Sequence, residues 1–452
     1  MTTETPQPPK GGATVILGAG IIGVSTAYYL SQQAPPSSSS TIHLVDPSPE
    51  LFASASGFAG GFLARDWFAP AVSSLGALSF DEHRRLAEQE GGAEAWGYAA
   101  STSVSYAPVG RGSEARDGRE GCGGGGGVAD VWCREGGSRA AVASGVKNGE
   151  GKVGEDGSPR WLRRREGDEL VVISDEGTVA QVDSLRLSQF LLQKCLSAGV
   201  QLHHPSRAIS ITTDPTTGAL SGLVITSPTN PTTTTTLPCT NLVLAAGAWT
   251  PSVYTTLFPS STLHLPITSL AGHSLVVEAR SAWWSASAGC HALFLAHPAP
   301  STSDGACTYA PEMFSRLGGS LYVAGLNSSA EPLPALPGDA KARISESALA
   351  RLRGTAGDLL GEEEGDVKVL REGLCFRPVT ARGTPIVGRV PPEGEKGAVV
   401  PAGVYVAAGH GPWGISMSLG TGKVVAEMVL GREALSAEVA GLGVEEACGM
   451  GR

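Results

Sequence analysis

The stretch Ala13-Thr14-Val15-Ile16-Leu17-Gly18-Ala19-Gly20-Ile21-Ile22-Gly23 decides the fold. Ala13 to Leu17 is a short apolar run, predicted as a strand, and it breaks at Gly18. Gly18, Gly20 and Gly23 form a G-x-G-x-x-G between that strand and an apolar helix running through Leu30. The first glycine permits a tight turn, the second lets backbone N–H groups approach a pyrophosphate, and the third lets helix and strand pack closely. The helix N-terminus attracts the phosphate charge. After a Pro/Ser loop from Ala34 to Ser40, Thr41 to Val45 is a second strand ending in Asp46, an acid placed to accept hydrogen bonds from both ribose hydroxyls. Strand, turn, helix, strand and acid in that order specify a dinucleotide-binding βαβ unit. This unit alone leaves NAD and FAD equally open.

The chain has 452 residues, enough for about three average domains or one two-lobed enzyme. Hydrophobic residues make up 41% and charged residues 17%, so a substantial core can be buried. Glycine, at 61 residues, is well above the usual ~7%, and part of the excess lies in 107–160, where Gly123 to Gly127 stand in a row. That segment lacks apolar periodicity and is predicted to be a flexible surface insertion. The net charge is -10 with no basic stripe, which argues against a nucleic-acid partner. The longest apolar run, Ile16 to Leu30, is interrupted by glycines and falls short of the ~20 residues of a membrane span. No secretory or transit segment is expected before Ala13, and the C-terminus carries neither a prenylation box nor a peroxisomal tripeptide. The cysteines form no C-x-x-C pair and show no zinc-ligand spacing, so reduced thiols, no metal and a cytoplasmic location are expected.

Further along, Leu75, Leu78, Phe80 and Leu86 suggest a helix, and Val182 to about Ser197 another, capped by Asp183 or Ser184. Ala208–Thr212 and Gly222–Thr226 read as strands, with the Pro/Thr run Pro228–Pro238 as a hairpin tip. Leu242 to Gly247 is a buried strand ending in glycine. Between 251 and 371 the pattern is mixed, with strands near His273–Glu278 and Leu321–Leu326 and a helix near Glu346–Leu352. Val404–Ala408 is a further strand, and a closing helix follows a Gly-rich turn.

That turn is Gly409-His410-Gly411-Pro412-Trp413-Gly414, followed by Ile415. It offers backbone N–H groups and a helix start to something negative, and in a flavoprotein the N1–C2=O edge of the ring fits that description. An ordinary Gly-rich turn with His410 as a satisfied core histidine is the alternative. Upstream, Arg377 stands in the apolar context Leu374-Cys375-Phe376-Arg377-Pro378-Val379-Thr380. Burying a guanidinium is costly unless it meets an anion, either a protein carboxylate or a substrate carboxylate gripped bidentately.

Taken in order, the βαβ unit, Ala55 to Gly61, Leu244 to Trp249, the F-R-P-V-T segment and the G-H-G-x-x-G loop resemble the D-amino-acid-oxidase-like superfamily of FAD oxidoreductases. Ala55 to Asp66, Trp96-Gly97-Tyr98 and Ala180-Gln181-Val182 resemble a fungal branch of FAD-dependent amine oxidoreductases. The resemblance implies an α/β fold, with a Rossmann-like FAD-binding domain and a second mixed α+β substrate domain on an antiparallel-rich sheet. The FAD-binding domain would comprise 11–100, 178–250 and 372–435, and the substrate domain 101–177 and 251–371, with 107–160 as the Gly-rich insertion.

By the same resemblance Gly18, Ala19, Gly20, Ile22 and Gly23 hold the pyrophosphate and Asp46 the ribose, while Ser56 and Gly57 line the phosphate and flavin side. Ala208 meets the adenine through its backbone, and Ala246, Gly247 and Trp249 close over the cofactor. Gly411, Trp413, Gly414 and Ile415 face the flavin ring. Arg377 matches the arginine that binds the substrate carboxylate, with a structural or FAD-contacting role as the alternative. His410 lies near the flavin or packs behind it. Arg377, His410 and Trp413 are thus the candidates at the catalytic end. The implied reaction is hydride transfer from the carbon beside a neutral amine to flavin N5, giving an imine, with oxygen or another acceptor reoxidising the flavin. The substrate would be an amine or a D- or N-methyl amino acid.

Two departures from the family stand out. No lysine lies on Leu321-Tyr322-Val323-Ala324, where some sarcosine-type oxidases carry one to assist oxygen. Cys375 falls where those enzymes link FAD covalently, but its flanking residues differ, so non-covalent FAD and a buried free thiol are expected. Two rival functions remain: an NAD-dependent dehydrogenase, against which the glycine loop and the Gly247 strand end count, and an FAD-binding regulatory or scaffolding protein with little turnover.

Overall fold

The computed structural model describes residues 12–33, 41–108, 158–174, 177–278, 289–295, 307–362 and 367–449. Most of the predicted insertion, 109–157, lies outside the described residues. The opening βαβ unit forms as its sequence dictates: strand Thr14–Leu17, helix Ile21–Gln33 and strand Ile42–Val45, with the two strands parallel and in register from Thr14 against Ile42. Among the described residues this unit is the centre of a six-stranded sheet in the order Ile386–Arg389, Val404–Ala408, Asn241–Leu244, Thr14–Leu17, Ile42–Val45, Gln201–His203. Every neighbouring pair is parallel except the first, which is antiparallel.

Helix Ile21–Gln33 is apolar almost all round because it is covered on all sides, by the sheet, by helix Ser184–Ser197 and by helix Ser418–Val429. Its position is set by a close approach. A Cβ on Gly23 would stand 1.9 Å from the Gly18 carbonyl oxygen, so only glycine lets the first helical turn sit against the strand end. Helix Ser184–Ser197 begins where the Asp183 carboxylate accepts from the Leu185 and Arg186 amides at 3.0 and 3.1 Å, so Asp183 and not Ser184 is the cap.

The second lobe is built on nine strands, counted among the described residues. Their order is Val369–Thr380, Ile267–Glu278, Ser320–Ser328, Cys307–Ser315, Cys290–Leu295, Ala99–Ala107, Val179–Gln181, Phe62–Ala64, with Glu169–Ser174 also pairing Ala99–Ala107. Only Cys290–Leu295 and Ala99–Ala107 run parallel. Helix Glu346–Leu360 covers one face, over Leu275, Leu293, Met313 and Val323. Phe294, Phe314, Tyr322 and Ala324 on the other face belong to the same core as the first lobe. The sheet also takes in Phe62–Ala64, Val179–Gln181 and most of Val369–Thr380, which the sequence reading placed in the cofactor-binding segments, so backbone pairing runs across those boundaries.

Pro228–Pro238 is not a hairpin tip. Asn230–Pro238 is the third strand of a small antiparallel sheet with Arg207–Thr213 and Leu220–Ser227, and the reversal lies between Ser227 and Asn230. Its threonines are β-branched and favour the extended chain, which outweighs the turn signal of the flanking prolines. Among the described residues no helix is long and apolar enough to cross a membrane.

Gly23→Ala should lower the stability of the protein by about 3 kcal/mol or prevent folding, because the methyl can be accommodated only by moving the helix off the strand. A urea titration followed by circular dichroism measures this, and a loss below ~1 kcal/mol would show the helix free to shift.

Candidate active site

A cavity of about 540 Å³ opens at the C-terminal ends of the parallel strands, where open α/β sheets bind their ligands. At one end it is lined by Gly18, Gly20, Ile22, Asp46 and, from the small sheet, Arg207 and Ala208. The Asp46 carboxylate accepts from the Ala19 amide at 2.9 Å and from the Ser48 amide at 2.9 Å, which locks the glycine turn to the end of the second strand. Ser56 accepts from the Ile21 amide at 2.8 Å and lines the middle of the cavity with Ser54 and Ala59. Ala246, Gly247 and Trp249 form the opposite wall. The Trp249 indole donates to the Pro334 carbonyl at 2.7 Å and so ties a segment of the second lobe, including Ala335 and Pro337, over that wall.

The far end is made by Cys375 and Arg377 on one side and His410, Gly411, Gly414 and Ile415 on the other. The Arg377 guanidinium lies across Gly272, where a Cβ would meet its Nη1 at 2.2 Å, and Nη1 donates to Asn327 Oδ1 at 2.5 Å. Burial pushes this guanidinium down, but the neighbouring Cys375, Tyr322 and Glu312 side chains and the hydrogen bond it donates to Tyr322 outweigh it, leaving Arg377 above its ordinary value. Cys375 is a buried free thiol, pushed up by burial against the pull of Arg377. A thiol held protonated is a poor nucleophile.

His410 Nε2 lies 3.0 Å from Thr421 Oγ1, while its Nδ1 is buried without a hydrogen-bond partner. Burial brings its pKa down to about 3, so the ring is neutral. His83 was missed in the sequence because it sits inside an amphipathic helix, Pro70–Glu90, where a histidine carries no motif. Its Nε2 donates to the Ile415 carbonyl at 3.0 Å, and burial brings its pKa down to about 4. Asn327 and Gly272 were also missed, since strand pairing is what brings them to Arg377.

Four predicted site residues do not line the cavity. Ala19 acts through the amide given to Asp46, and Gly23 through its packing against Gly18. Gly57 packs against the Phe52 carbonyl, which a Cβ would approach to 2.2 Å. Trp413 turns away, because the 3-10 turn Gly411–Trp413 points its indole into an aromatic cluster, with the Phe68 ring 5.0 Å away and the Phe62 and Trp67 rings at 6.4 Å.

The residues fit FAD. The unpartnered His410 Nδ1 stands on the cavity wall, Gly247 leaves open space where a Cβ would project, and the volume suits a cofactor. Among the described residues, no cluster of three or more histidine, cysteine or acidic side chains could hold a metal.

The profile of the family described as FAD dependent oxidoreductase matches residues 13–428. The chain belongs to this family. It is an FAD-dependent oxidoreductase with the D-amino-acid-oxidase fold. A Schizosaccharomyces pombe protein provisionally named oxidoreductase C1F5.03c is 26% identical over 440 residues, covering 94% of this chain and 96% of that one. The structure is similar to glycine oxidase from Geobacillus kaustophilus, with a TM-score of 0.65 at 19% identity over 96% of this chain and 98% of that one. It is also similar to iminodiacetate oxidase from Chelativorans sp., with a TM-score of 0.62 at 18% identity over 95% and 98%.

The two buried histidines make this flavoprotein acid-sensitive. In the unfolded chain each takes up a proton near pH 6.5, whereas in the folded protein they stay neutral down to about 4 and about 3. Their stabilising contribution is complete above pH 6.5 and is lost as the pH falls, at ~1.4 kcal/mol per histidine per pH unit. Unfolding free energies measured from pH 7 to 4.5 should fall with this slope. His83→Gln, which keeps the donor to Ile415, should halve the part of the slope due to the pair, and an unchanged slope would refute the assignment.

Proposed function

We propose that this flavoprotein oxidises the C–N bond of an amino acid to the imine, with Arg377 holding the substrate carboxylate. The observation that carries this reading is a guanidinium on the cavity wall that donates to the uncharged Asn327 and Tyr322, with the Glu312 carboxylate acting on it through space. A cation so placed is best compensated by an anionic ligand that accepts two parallel hydrogen bonds. The names of the two structural relatives support the reading, since glycine and iminodiacetate are both small amines bearing a carboxylate.

In the reaction the H–C–N–H unit loses two electrons and two protons and becomes C=N. FAD, when bound, supplies the acceptor for the two electrons. The chain supplies orientation: Arg377 fixes the carboxylate, and with it the direction in which the adjacent C–H bond points across the cavity. Apolar walls from Phe376, Ile415 and the Ala245–Ala248 turn exclude water. His410, neutral and with a pKa of about 3, is no base for the substrate ammonium. The ammonium proton therefore leaves to solvent before oxidation, and kcat/KM should rise with pH toward the amine pKa without an inflection near 6.5. FAD is held without a covalent bond, and acid precipitation of the protein should leave the flavin in the supernatant.

The decisive experiment is anaerobic bleaching of the flavin by D-amino acids, N-methyl amino acids and polyamines. Carboxylate-bearing amines should bleach it and polyamines should not, and readmitted air then reports whether oxygen is the acceptor. Arg377→Met should raise KM about 100-fold, the loss of a charged two-point contact of ~3 kcal/mol. Bleaching by polyamines alone, or an unchanged KM in Arg377→Met, would overturn the reading.

A further inference from the structure

Arg316 follows strand Cys307–Ser315 and is almost fully buried, with its side chain 7% exposed. Its Nη2 donates to the carbonyls of Ala59 and Gly60, both at 3.1 Å, and its Nη1 meets Asp183 Oδ2 at 3.4 Å. The other Asp183 oxygen is the one that caps helix Ser184–Ser197. The guanidinium also lies 5.4 Å from the centroid of the Tyr322 ring, which stacks with the Phe314 ring at 5.9 Å and 17°. Its Nε is buried without a partner. A cation this buried, and only partly satisfied, is costly to keep for packing alone.

What it holds is a turn of the cofactor side. Ala59 lines the cavity. Gly60 has no side chain, and a Cβ there would come within 2.7 Å of the Phe314 ring and 2.8 Å of the Tyr322 ring, so the turn's backbone lies directly on both aromatics. The same carbonyls accept from Ser184 Oγ at 2.7 Å and Gln181 Nε2 at 2.5 Å, and the Gly61 carbonyl accepts from the Val182 amide at 2.9 Å. The Trp96 carbonyl accepts from the Asp183 amide at 2.9 Å. Three stretches set apart in the sequence, Ala55–Asp66, Trp96–Tyr98 and Ala180–Val182, therefore meet around this one side chain. Arg377 also stands at Tyr322, to which its guanidinium donates a hydrogen bond.

We propose that Arg316 is a positioning residue of the active site, which clamps the Ala59–Gly60 turn onto the Tyr322 ring and thereby holds Tyr322 and Arg377 in place to receive a substrate carboxylate. The last clause rests on the carboxylate-binding reading of Arg377. Lysine at this position keeps the charge but cannot donate to two carbonyls and a carboxylate while lying flat on a ring.

The test uses the FAD-loaded protein and propionate as probe, with binding read from the perturbation of the flavin absorbance. Arg316→Lys should weaken propionate binding and raise substrate KM at least tenfold, with FAD affinity and kcat changed less than threefold. Arg316→Ala should do the same, and added guanidinium should restore propionate binding to within threefold of the parent, a rescue that a merely structural role would not produce. Loss of FAD and propionate binding together in Arg316→Lys would confine Arg316 to the cofactor loop and overturn the proposal. Arg377→Met separates the two readings. If it abolishes propionate binding while Arg316→Lys retains it, the Arg316 proposal alone fails. If Arg377→Met binds propionate as the parent does, the carboxylate reading fails and the positioning role falls with it.

Discussion

The contact between Gly23 and the Gly18 carbonyl is the constraint on which the site depends. It brings the start of helix Ile21–Gln33 against the end of the central strand, and the helix cannot pivot because it is buried on nearly every side. The amides of its first turn are thereby fixed in direction. Two of the orienting bonds come from side chains beyond the βαβ unit's core, Asp46 to Ala19 and Ser56 to Ile21, so the turn is braced from both flanks of the cavity. A helix N-terminus attracts an anion only as well as its N–H groups are aimed, and here packing does the aiming before any cofactor arrives.

One long strand carries Arg377 from the second lobe to this fixed point. Val369–Thr380 pairs along the length of Ile267–Glu278, and its alternating residues Gly373, Cys375 and Arg377 face the cofactor lobe. The Phe376 amide donates to Ser54 Oγ at 3.3 Å, so strand and cofactor loop are joined beside Arg377. Two arginines of this lobe, 316 and 377, stand at the Tyr322 side chain, one over its ring and one at its hydroxyl. Burying two guanidiniums so close is unfavourable unless carbonyls, a carboxylate and a ligand share the load, and Arg316 has the first two of these.

The βαβ unit was legible because its signals are local: an apolar run, a glycine turn, an all-apolar helix and a terminal acid lie in one continuous segment. The strand end at Ala245–Gly247 and the turn at Gly409–Gly414 were legible for the same reason. Arg377 stood out as a lone cation among apolar residues. What supports it did not, since Gly272 and Asn327 are brought to it by pairing between strands far apart in the sequence. Trp413 shows another limit. It adjoins cavity-lining residues on both sides, but in a 3-10 turn each successive residue points about a third of a turn away, so Pro412 and Gly414 face the cavity while the indole joins the core. The Thr-rich strand Asn230–Pro238 failed to read as one because proline at both ends speaks for a turn, whereas partner strands decide the outcome.

The charges around the cavity follow a consistent division. Its two histidine neighbours are kept neutral by burial, and the fixed charges on its wall are Asp46 and Arg207 toward one end and Arg377 at the other. The far end of the cavity thus carries an arginine and a histidine held neutral, neither of which titrates in the physiological range. Histidines in the same places with ordinary pKa values would make the local field change with each pH unit between 5 and 8. Burying them neutral costs acid stability, but it separates the electrostatics of the reaction from the pH of the surroundings and leaves the protonation of the substrate amine as the variable that matters.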